Sequence, residues 1–294
     1  MNNAEQMPIS FVILQYGAFS MTQRCIESIH RCMTGNYNII VVDNASPDDA
    51  LAQVKHQYGN DPCVIVLESD KNLGFAKGNN IGIRYAKENL NPQYIVMLNN
   101  DTELLQRDFR KRLDTEYQKE RFDVLGPMIL TGDGRYISNP VRTKKWERAE
   151  IQRMINYDAR YLKLMKFHCQ RIYDKYQELK KKNKKNKKKK TAFDCTKRQI
   201  NVELHGSFLI FSKDYIEKHN GLTDKTFMYC EEHILYQKIM NEGGKTVYAP
   251  DLIIYHAEDA STNERFPQSR SKKMFYLKNH MESCRVLLDV VEDK

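Results

Sequence analysis

Short runs of acidic and amide side chains follow two apolar stretches in the first half of the chain. Residues 94–98 are strand-forming and end abruptly in Asn99-Asn100-Asp101, and residues 38–42 end in Asp43-Asn44-Ala45-Ser46. In open α/β sheets, ligands bind beyond the carboxyl ends of such strands. Asp101 could hold a divalent cation against a diphosphate, because hard cations prefer oxygen ligands. Asp43 could accept hydrogen bonds from a nucleobase imide or from ribose hydroxyls, with a helix-capping turn as the alternative.

Three further groups of residues could do chemistry. Asn72-Leu73-Gly74-Phe75-Ala76-Lys77-Gly78-Asn79-Asn80 opens a predicted helix, where glycines let a ligand approach the backbone and amides favour anions. Glu231 and Glu232 begin another predicted helix, either as favourable charges near its dipole or with one of them as a general base. His256 ends a later apolar run. Each group alone is weak evidence of function.

The elements that must position these residues alternate between strand and helix patterns. Alternation of this kind predicts βαβ units with right-handed crossovers and a parallel sheet. Residues 144–190 are different, because they are helical in propensity and poor in Gly and Pro, which predicts an inserted helical arm. The predicted strands cover residues 9–15, 38–42, 64–67, 94–101, 124–130, 203–211 and 245–256. The predicted helices cover residues 20–33, 48–58, 72–89, 105–121, 231–241 and 272–291.

Length and composition limit the class of protein. With 294 residues the chain can bury a full core. No apolar run approaches the roughly 20 residues that span a bilayer, and residues 1–5 lack the basic-then-apolar order of a signal peptide. Seven scattered cysteines without a CxxC pair favour reduced thiols over a disulfide or zinc framework. We therefore expect a cytoplasmic protein.

The net charge of +9 comes from one segment. Lys180–Lys190 contains nine lysines and no acid, and subtracting those nine from the 47 basic residues leaves 38 against 38 acidic residues. The run could be a solvated helix end or loop. It could also bind the anionic inner face of the plasma membrane, at about 1 kcal/mol per basic residue. Nucleic-acid binding ranks last, because the rest of the chain is formally neutral.

The order of these motifs resembles that of the family 2 glycosyltransferases. The motifs are an acid after the second strand, an N-x-G-x-x-x-G-N turn, Leu98-Asn99-Asn100-Asp101, His205-Gly206-Ser207-Phe208, the two glutamates and the strand-terminal histidine. The resemblance implies an α/β, Rossmann-like GT-A fold with a mixed central sheet, plus the inserted basic arm and a C-terminal helix. Within the family, Val42-Asp43-Asn44-Ala45-Ser46 and Tyr276-Leu277-Lys278-Asn279 are most similar to bacterial rhamnosyltransferase-like enzymes.

The resemblance also implies a role for each candidate residue. Glu232 would be the catalytic base. Asp101 would hold a divalent cation, Mn2+ or Mg2+, with His256 as a second ligand or a contact to the diphosphate. The residues implied on the donor side are Asp43 at the nucleobase and Asn72, Phe75, Asn79 and Asn99 along the nucleoside diphosphate. Those implied on the acceptor side are His205, Gly206, Ser207 and Glu231.

Two positions depart from the family pattern. The metal motif is often Asp-x-Asp, whereas this chain has Asn99-x-Asp101 and lacks one carboxylate. The base is commonly the Asp of a Glu-Asp pair, and here it is Glu232. Metal affinity and the geometry of the base are therefore the points that a structure must address.

The sequence thus predicts an inverting glycosyltransferase of cell-surface polysaccharide synthesis. It would move rhamnose or a hexose from a UDP- or dTDP-linked donor to a saccharide acceptor, expected to be polyprenyl-linked. We expect residues 1–143 to form the donor-binding half and 201–268 the acceptor half, with the arm at 144–200 and the C-terminal helix at 269–294. The alternatives are a catalytically silent sugar-nucleotide-binding or membrane-scaffolding protein on the same fold, and a nucleotidyltransferase. The nucleotidyltransferase would need a glycine-rich basic loop after the first strand, which residues 15–19 do not provide.

Overall fold

The structure is a computed structural model that describes residues 7–132, 136–168, 194–257 and 270–293. These residues form a ten-stranded mixed sheet with helices packed on both faces. The strands are β1 (Ile9–Gln15), β2 (Tyr37–Asp43), β3 (Val64–Glu68), β4 (Tyr94–Asn99), β5 (Thr102–Leu104), β6 (Val124–Thr131), β7 (Tyr136–Ile137), β8 (Gln199–Ile200), β9 (Phe208–Ser212) and β10 (Thr246–His256). The helices are α1 (Phe19–Cys32), α2 (Ala50–Tyr58), α3 (Phe75–Asn89), α4 (Phe109–Lys119), α5 (Arg148–Lys166), α6 (Lys213–Lys218), α7 (Glu231–Asn241) and α8 (Arg270–Glu292).

The sheet has two halves joined by one antiparallel strand. Its order is β3-β2-β1-β4-β9-β6-β10-β5, and the first four strands are mutually parallel. Strand β9 runs antiparallel to both β4 and β6, while β10 is parallel to β6. Strands β6 and β10 therefore run in the same direction as β1–β4. The carboxyl ends of these six strands, and the amino end of β9, lie along one edge of the sheet.

The two faces of the sheet carry separate apolar cores, because side chains along a strand point alternately to opposite faces. Ile9, Phe11 and Ile13 of β1 face the core that includes α1, α2 and α4. Val12, between them, faces the core that includes α3, α6 and α7. Strands that are buried on both sides read as continuous apolar runs, which is why the parallel strands were visible in the sequence.

Helices α5 and α8 form an antiparallel pair beside the sheet. Arg148 at the start of α5 pairs with Glu292 at the end of α8 (Nε–Oε1 3.1 Å), whereas Arg270 at the start of α8 donates to the Met165 carbonyl near the end of α5. Their apolar side chains pack together and against α7. The helix in the predicted arm is thus confirmed over Arg148–Lys166, and Lys180–Lys190 lies outside the described residues.

The structure confirms the predicted α/β fold, but several element bounds shift by two to five residues and the short elements β5, β7, β8 and α6 were not predicted. The strand predicted over 203–211 begins at Phe208, because residues 203–207 form a bridge and a turn. The helix predicted from residue 105 begins at Phe109. Residues 102–104 instead form β5, a three-residue edge strand whose only described pairing is with β10. A segment this short has no periodicity of its own, so only the neighbouring strand reveals it. The four-segment division of the chain stays a prediction.

Asn80 couples α3 to the loop after α6 and gives a test of this packing. Its buried side-chain amide donates to the Leu222 carbonyl and accepts from the Leu222 amide, both at 2.8 Å. Asn80→Ala leaves two backbone groups without these partners, at about 1–3 kcal/mol each. We expect the free energy of unfolding, measured by urea denaturation, to fall by about 2 kcal/mol or more. Asn89→Ala, at an exposed position of the same helix, should change it by less than about 0.5 kcal/mol, and equal losses in both variants would contradict this account.

Candidate functional site

The shared edge of the sheet brings together residues that are far apart in sequence. Loops after β1, β2, β3 and β4, the turn before β9 and the end of β10 all meet there. The backbone N–H of Asn99 donates to the Ser207 carbonyl at 2.9 Å, and the backbone N–H of Ala257 donates to the Asp101 carbonyl at 3.0 Å. The predicted metal and acceptor residues therefore belong to one continuous site.

Asp101 and His256 form a buried pair at this edge. Oδ1 of Asp101 lies 3.1 Å from Nε2 of His256, without the alignment of a hydrogen bond, and the side chains are 6% and 8% exposed. Two cis ligands, each about 2.1 Å from an octahedral cation, are about 3.0 Å apart. Oδ1 accepts no hydrogen bond from the described residues, which leaves it available to a ligand. The spacing and the oxygen and imidazole donors therefore fit a divalent cation such as Mn2+.

The turn at 205–207 connects this pair to the predicted base. The rings of His205 and His256 lie edge to face, with centroids 5.8 Å apart. Oε2 of Glu232 lies so close to Gly206 that a Cβ there would be 3.4 Å from it. Nδ1 of His205 lies 2.9 Å from the Ser207 hydroxyl and accepts from the Ser207 amide at 3.2 Å, which keeps the turn compact. The structure thus places Glu232, the turn and Asp101 with His256 side by side.

The two adjacent glutamates at the start of α7 differ in environment. Glu231 is 6% exposed and accepts a hydrogen bond from the Thr226 hydroxyl at 2.9 Å. Burial raises the pKa of Glu231 to about 7, and the neighbouring Glu232 charge adds to the effect. Glu232 is only half-buried and lies beside Gly206. This arrangement favours Glu232 as the acid open to a substrate and Glu231 as a residue held inside the helix start.

Asp43 anchors the loop that follows β2. Its buried carboxylate accepts from the Gln15 side chain and from the Ser46 amide, both at 3.0 Å, and from the Ser46 hydroxyl. Ser46 Oγ accepts in turn from the backbone N–H of Gly17 at 2.7 Å, which joins the loops after β1 and β2. Three of about four acceptor positions on a carboxylate are thereby used. About one acceptor position of the Asp43 carboxylate is left for a ligand. Asp43 can therefore both cap the turn and bind a nucleobase or ribose.

The glycine-rich turn is held by amide side chains and crossed by another segment. Asn44 donates to Asn72 Oδ1 at 3.1 Å and accepts from the Leu73 amide at 2.9 Å. The Phe75 amide donates to the Phe227 carbonyl at 2.7 Å, so this amide is already paired. Gly74 has φ +80° and a Cβ there would lie 2.0 Å from that carbonyl, which excludes larger residues.

Two remaining donor-side candidates lie in this region of the sheet edge. Asn79 is 1% exposed and donates to the Phe75 carbonyl at 2.9 Å, while its own Oδ1 is buried with no hydrogen bond from the described residues. Asn99 is half-buried at the end of β4. Glu103, the other acid near Asp101, lies on β5 opposite Tyr255 of the neighbouring strand β10. Its strand neighbours Thr102 and Leu104 are buried, so Glu103 faces away from them and does not replace the missing carboxylate.

Two groups of polar residues at the site were not found from the sequence. Glu203, fully buried, contacts His233 (Oε1–Nδ1 2.7 Å) and accepts from the Trp146 indole N–H at 2.7 Å. Burial alone would lower the pKa of His233, but the Glu203 carboxylate outweighs it and raises that pKa. Asn139 accepts from the His205 amide at 3.1 Å and donates to the Pro127 carbonyl at 2.8 Å. Two sequence signals were available: His233 adjoins Glu232, and Glu203 lies two residues before His205.

The family of the chain follows from a comparison of its sequence with family models. The model described as "Glycosyl transferase family 2" matches residues 10–219, well over half of the chain. The chain belongs to glycosyl transferase family 2. The match ends before Glu232 and His256, so the structure rather than the family match places those two residues at the site of this family 2 member. The rhamnosyltransferase-like subtype is not established by the match.

One curated relative has a related sequence over part of its length. The low-salt glycan biosynthesis hexosyltransferase Agl10 of Haloferax volcanii is 29% identical over 126 residues. The alignment covers 43% of this chain and 38% of that protein, so the chain spans well under half of the relative it matches.

Solved glycosyltransferase structures share the fold of this family 2 member. S. aureus TarS 1-349 in complex with UDP-GlcNAc aligns with a TM-score of 0.58 and 12% identity, covering 98% of this chain and 67% of that one. GalNAc-T7 with UDP, GalNAc and Mn2+ aligns with a TM-score of 0.61 and 14% identity, covering 98% and 48%. These likenesses establish the GT-A type of fold. Among the described residues, no helix is both long and apolar enough to cross a bilayer.

The raised pKa of Glu231 predicts a pH-dependent stability. Between the ordinary carboxyl pKa near 4.5 and the folded value near 7, the folded state binds more protons than the unfolded state. The contribution of Glu231 to stability therefore falls as pH rises through this window. Glu231→Gln keeps an acceptor for Thr226 and removes the ionisation. We expect the variant to gain stability relative to the unsubstituted protein between pH 5 and pH 8, measured by urea denaturation.

The control for this measurement is Glu88→Gln, at an exposed position of α3. Its stability relative to the unsubstituted protein should be nearly constant over the same pH range. A difference for Glu231→Gln that is also constant with pH would show that Glu231 titrates normally.

Proposed function

We propose that this protein is an inverting glycosyltransferase that uses a nucleoside-diphosphate sugar and a saccharide acceptor. The observation that carries the proposal is the turn at 205–207, which contacts Glu232 on one side and the Asp101–His256 pair on the other. A base and a candidate cation site that both adjoin one turn suit a single displacement, in which an acceptor is activated and a diphosphate leaves. Family membership supports the same reaction class.

The donor would lie across the carboxyl edge of β1–β4. Asp43 would meet the nucleobase, and Asn72, Phe75, Asn79 and Asn99 would line the path of the nucleoside diphosphate. The network from Asn44 to Asn72 fixes the loops after β2 and β3 relative to each other, which prepares the site before a ligand arrives. TarS was crystallised with UDP-GlcNAc and GalNAc-T7 with UDP, which supports a uridine nucleotide ahead of dTDP.

Glu232 would remove the proton of the acceptor hydroxyl as that oxygen attacks the anomeric carbon. The acceptor would approach over His205, Gly206 and Ser207, where the absence of a side chain at Gly206 keeps the carboxylate close to the turn. The buried charge of Glu203 fixes His233, the next residue along α7, and so orients the first turn of the helix that carries the base. Holding a catalytic group in the right orientation toward its reactant lowers the activation barrier, because less entropy is lost on the way to the transition state.

Asp101 and His256 are the residues that would hold a divalent cation. When bound, such a cation offsets negative charge that develops on the leaving nucleoside diphosphate. Asn99, at the place of the first acid of an Asp-x-Asp motif, offers an amide oxygen instead of a carboxylate. The protein would then supply less charge to the cation, and the diphosphate of the donor would complete its coordination.

The sugar and the acceptor are the finer parts of the proposal. The name of the archaeal relative, a glycan biosynthesis hexosyltransferase, favours a hexose over rhamnose. A polyprenyl-linked acceptor and attachment through Lys180–Lys190 to the cytoplasmic membrane surface follow from the charge of that run alone. A catalytically silent sugar-nucleotide-binding protein is the second candidate, favoured only by Asn99 in the metal motif.

Glu232→Gln tests the base. It keeps the size of the side chain and removes its ability to accept a proton, so we expect kcat for transfer to fall about 10²–10⁴-fold. Donor affinity, measured by calorimetry, should stay the same. Glu282→Gln, at an exposed position of α8, is the control and should transfer normally. Normal turnover by Glu232→Gln would remove Glu232 from the mechanism, and binding without any turnover in the unsubstituted protein would favour the silent alternative.

Asp101→Asn tests the cation site. We expect Mn2+ affinity in the presence of UDP, measured by the electron paramagnetic resonance signal of free Mn2+, to weaken at least about tenfold because a charged oxygen ligand is lost. Release of UDP from UDP-sugars should require both Mn2+ and Asp101. Asp61→Asn is a matched control, because Asp61 also pairs with a histidine (Oδ2–Nε2 of His30 3.2 Å) away from the site. Equal Mn2+ affinity in both variants would place the cation elsewhere.

A further inference from the structure

A second group of metal-ligating side chains lies behind the start of α7. Cys230 precedes Glu231, while His280 and Cys284 are four residues apart on α8 and so share one face of that helix. Cys230 and Cys284 are buried, at 3% and 0% exposed. About fifty residues separate Cys230 from His280 and Cys284 in the sequence, so no short spacing motif indicates the group. Because the chain has no CxxC pair, its sequence predicts no zinc site.

The distances suit a common soft cation. Sγ of Cys230 lies 3.9 Å from Sγ of Cys284, and Sγ of Cys284 lies 3.8 Å from Nε2 of His280. All three ligand atoms lie within 4.8 Å of one another. Tetrahedral zinc, with Zn–S near 2.3 Å and Zn–N near 2.0–2.1 Å, places its ligands about 3.5–3.8 Å apart. A disulfide would require the sulfurs to approach to about 2.05 Å. Shifts of about 1 Å or less therefore complete a zinc site, whereas a disulfide needs the two sulfurs to approach by almost 2 Å.

The surroundings of His280 match those of a metal-binding histidine. Its Nδ1 lies 2.6 Å from Oδ2 of Asp158, a buried acid on α5. A carboxylate at Nδ1 holds the proton there and directs the Nε2 lone pair towards the metal. The Tyr276 ring stacks on the imidazole at 5.2 Å, which fixes the plane of the ring. The side chain of His280 is 14% exposed, which leaves a narrow approach for an ion and for water.

The backbone also holds Cys230 in place. Tyr229 and Cys230 both have positive φ, at 77° and 65°, in a region that favours glycine or asparagine. The Ser283 hydroxyl donates to the Met228 carbonyl at 3.0 Å, so α8 is bonded to the segment that delivers Cys230. A buried histidine–carboxylate pair has no packing role that an apolar pair would not serve as well. If the two cysteines acted only as small apolar side chains in the core, the adjacent pair of His280 and Asp158 would have no explanation.

We propose that Cys230 Sγ, Cys284 Sγ and His280 Nε2 bind one Zn2+, with water as the fourth ligand. The two thiols release their protons to solvent as the Zn–S bonds form, so the ion, two thiolates and neutral imidazole carry no net charge and nothing is oxidised. The site ties α8 to the residue just before Glu231 and Glu232. It is separate from Asp101 and His256, whose oxygen and imidazole donors suit Mn2+ or Mg2+ rather than a thiolate-preferring ion.

Cobalt substitution of the 294-residue chain tests the proposal. The protein is stripped with a chelator under reducing conditions and titrated with Co2+, whose thiolate charge-transfer and tetrahedral visible bands report this ligand set. We expect one equivalent of Co2+ to produce the bands, and Zn2+ to abolish them and raise Tm. Cys284→Ser and His280→Gln should each lose the bands. Asp158→Asn should bind Zn2+ about 10–100-fold more weakly, as expected of a partner to a ligating histidine.

Two variants serve as matched controls. Cys63→Ser removes a partly buried cysteine from another part of the fold, and Asp101→Asn disables the other candidate cation site. Both should keep the cobalt bands, and circular dichroism of every variant checks that it is folded. Absence of the bands in the unsubstituted protein, or their persistence in Cys284→Ser, would overturn the proposal. A mass loss of two hydrogens with a Cys230–Cys284 cross-link in metal-free protein kept under air, together with no cobalt binding after reduction, would also overturn it in favour of a redox pair.

Discussion

Strand β9 is the constraint on which the site depends. It runs antiparallel between β4 and β6 and so joins the β1–β4 half of the sheet to the half that contains β6 and β10. Because of its direction, its amino end lies at the edge where β4 and β10 end. The turn at 205–207 is therefore delivered to the same edge as Asp101 and His256. A parallel strand in this place would have put the turn at the opposite edge.

Three buried carboxylates at or behind this edge each contact a histidine from another segment. His256 contacts Asp101, His233 contacts Glu203, and His280 contacts Asp158. A buried charge without a partner is costly, so each contact favours only the arrangement that brings both partners together. Burial raises the pKa of Glu231 to about 7, and the neighbouring Glu232 charge adds to the effect.

Helix α8 lies beyond the residues 10–219 that the family model matches, and it packs on α5, which lies within them. They pack against α7, whose first turn carries the two glutamates. Their contacts with the segment before Glu231 are specific, including the Ser283–Met228 hydrogen bond and the proximity of Cys284 to Cys230. Helix α8 is thus placed to support the position of Glu231 and Glu232.

Much of the fold was determined by local sequence patterns. The runs at 9–15, 64–67 and 231–241 predicted their elements to within a residue, because short apolar runs bounded by polar residues indicate strands and an acidic first turn indicates a helix start. The order of polar groups after the strands indicated Asp43, Asp101 and His256 as neighbours, since strand ends share an edge in a parallel sheet. The resemblance to family 2 glycosyltransferases singled out Glu232, whereas both glutamates of the pair remained candidates on local grounds.

The tertiary structure decided what depends on contacts between distant segments. Glu203, Asn139 and Gln15 contact site residues through bonds that span 30, 66 and 28 positions along the chain, and no periodicity records such bonds. The different burial of Glu231 and Glu232 arises from how α7 packs, not from either residue type. Cys230, His280 and Cys284 meet only because α8 returns to the start of α7. Local sequence therefore determined the elements and the identity of the reactive groups, and long-range packing decided their partners and protonation.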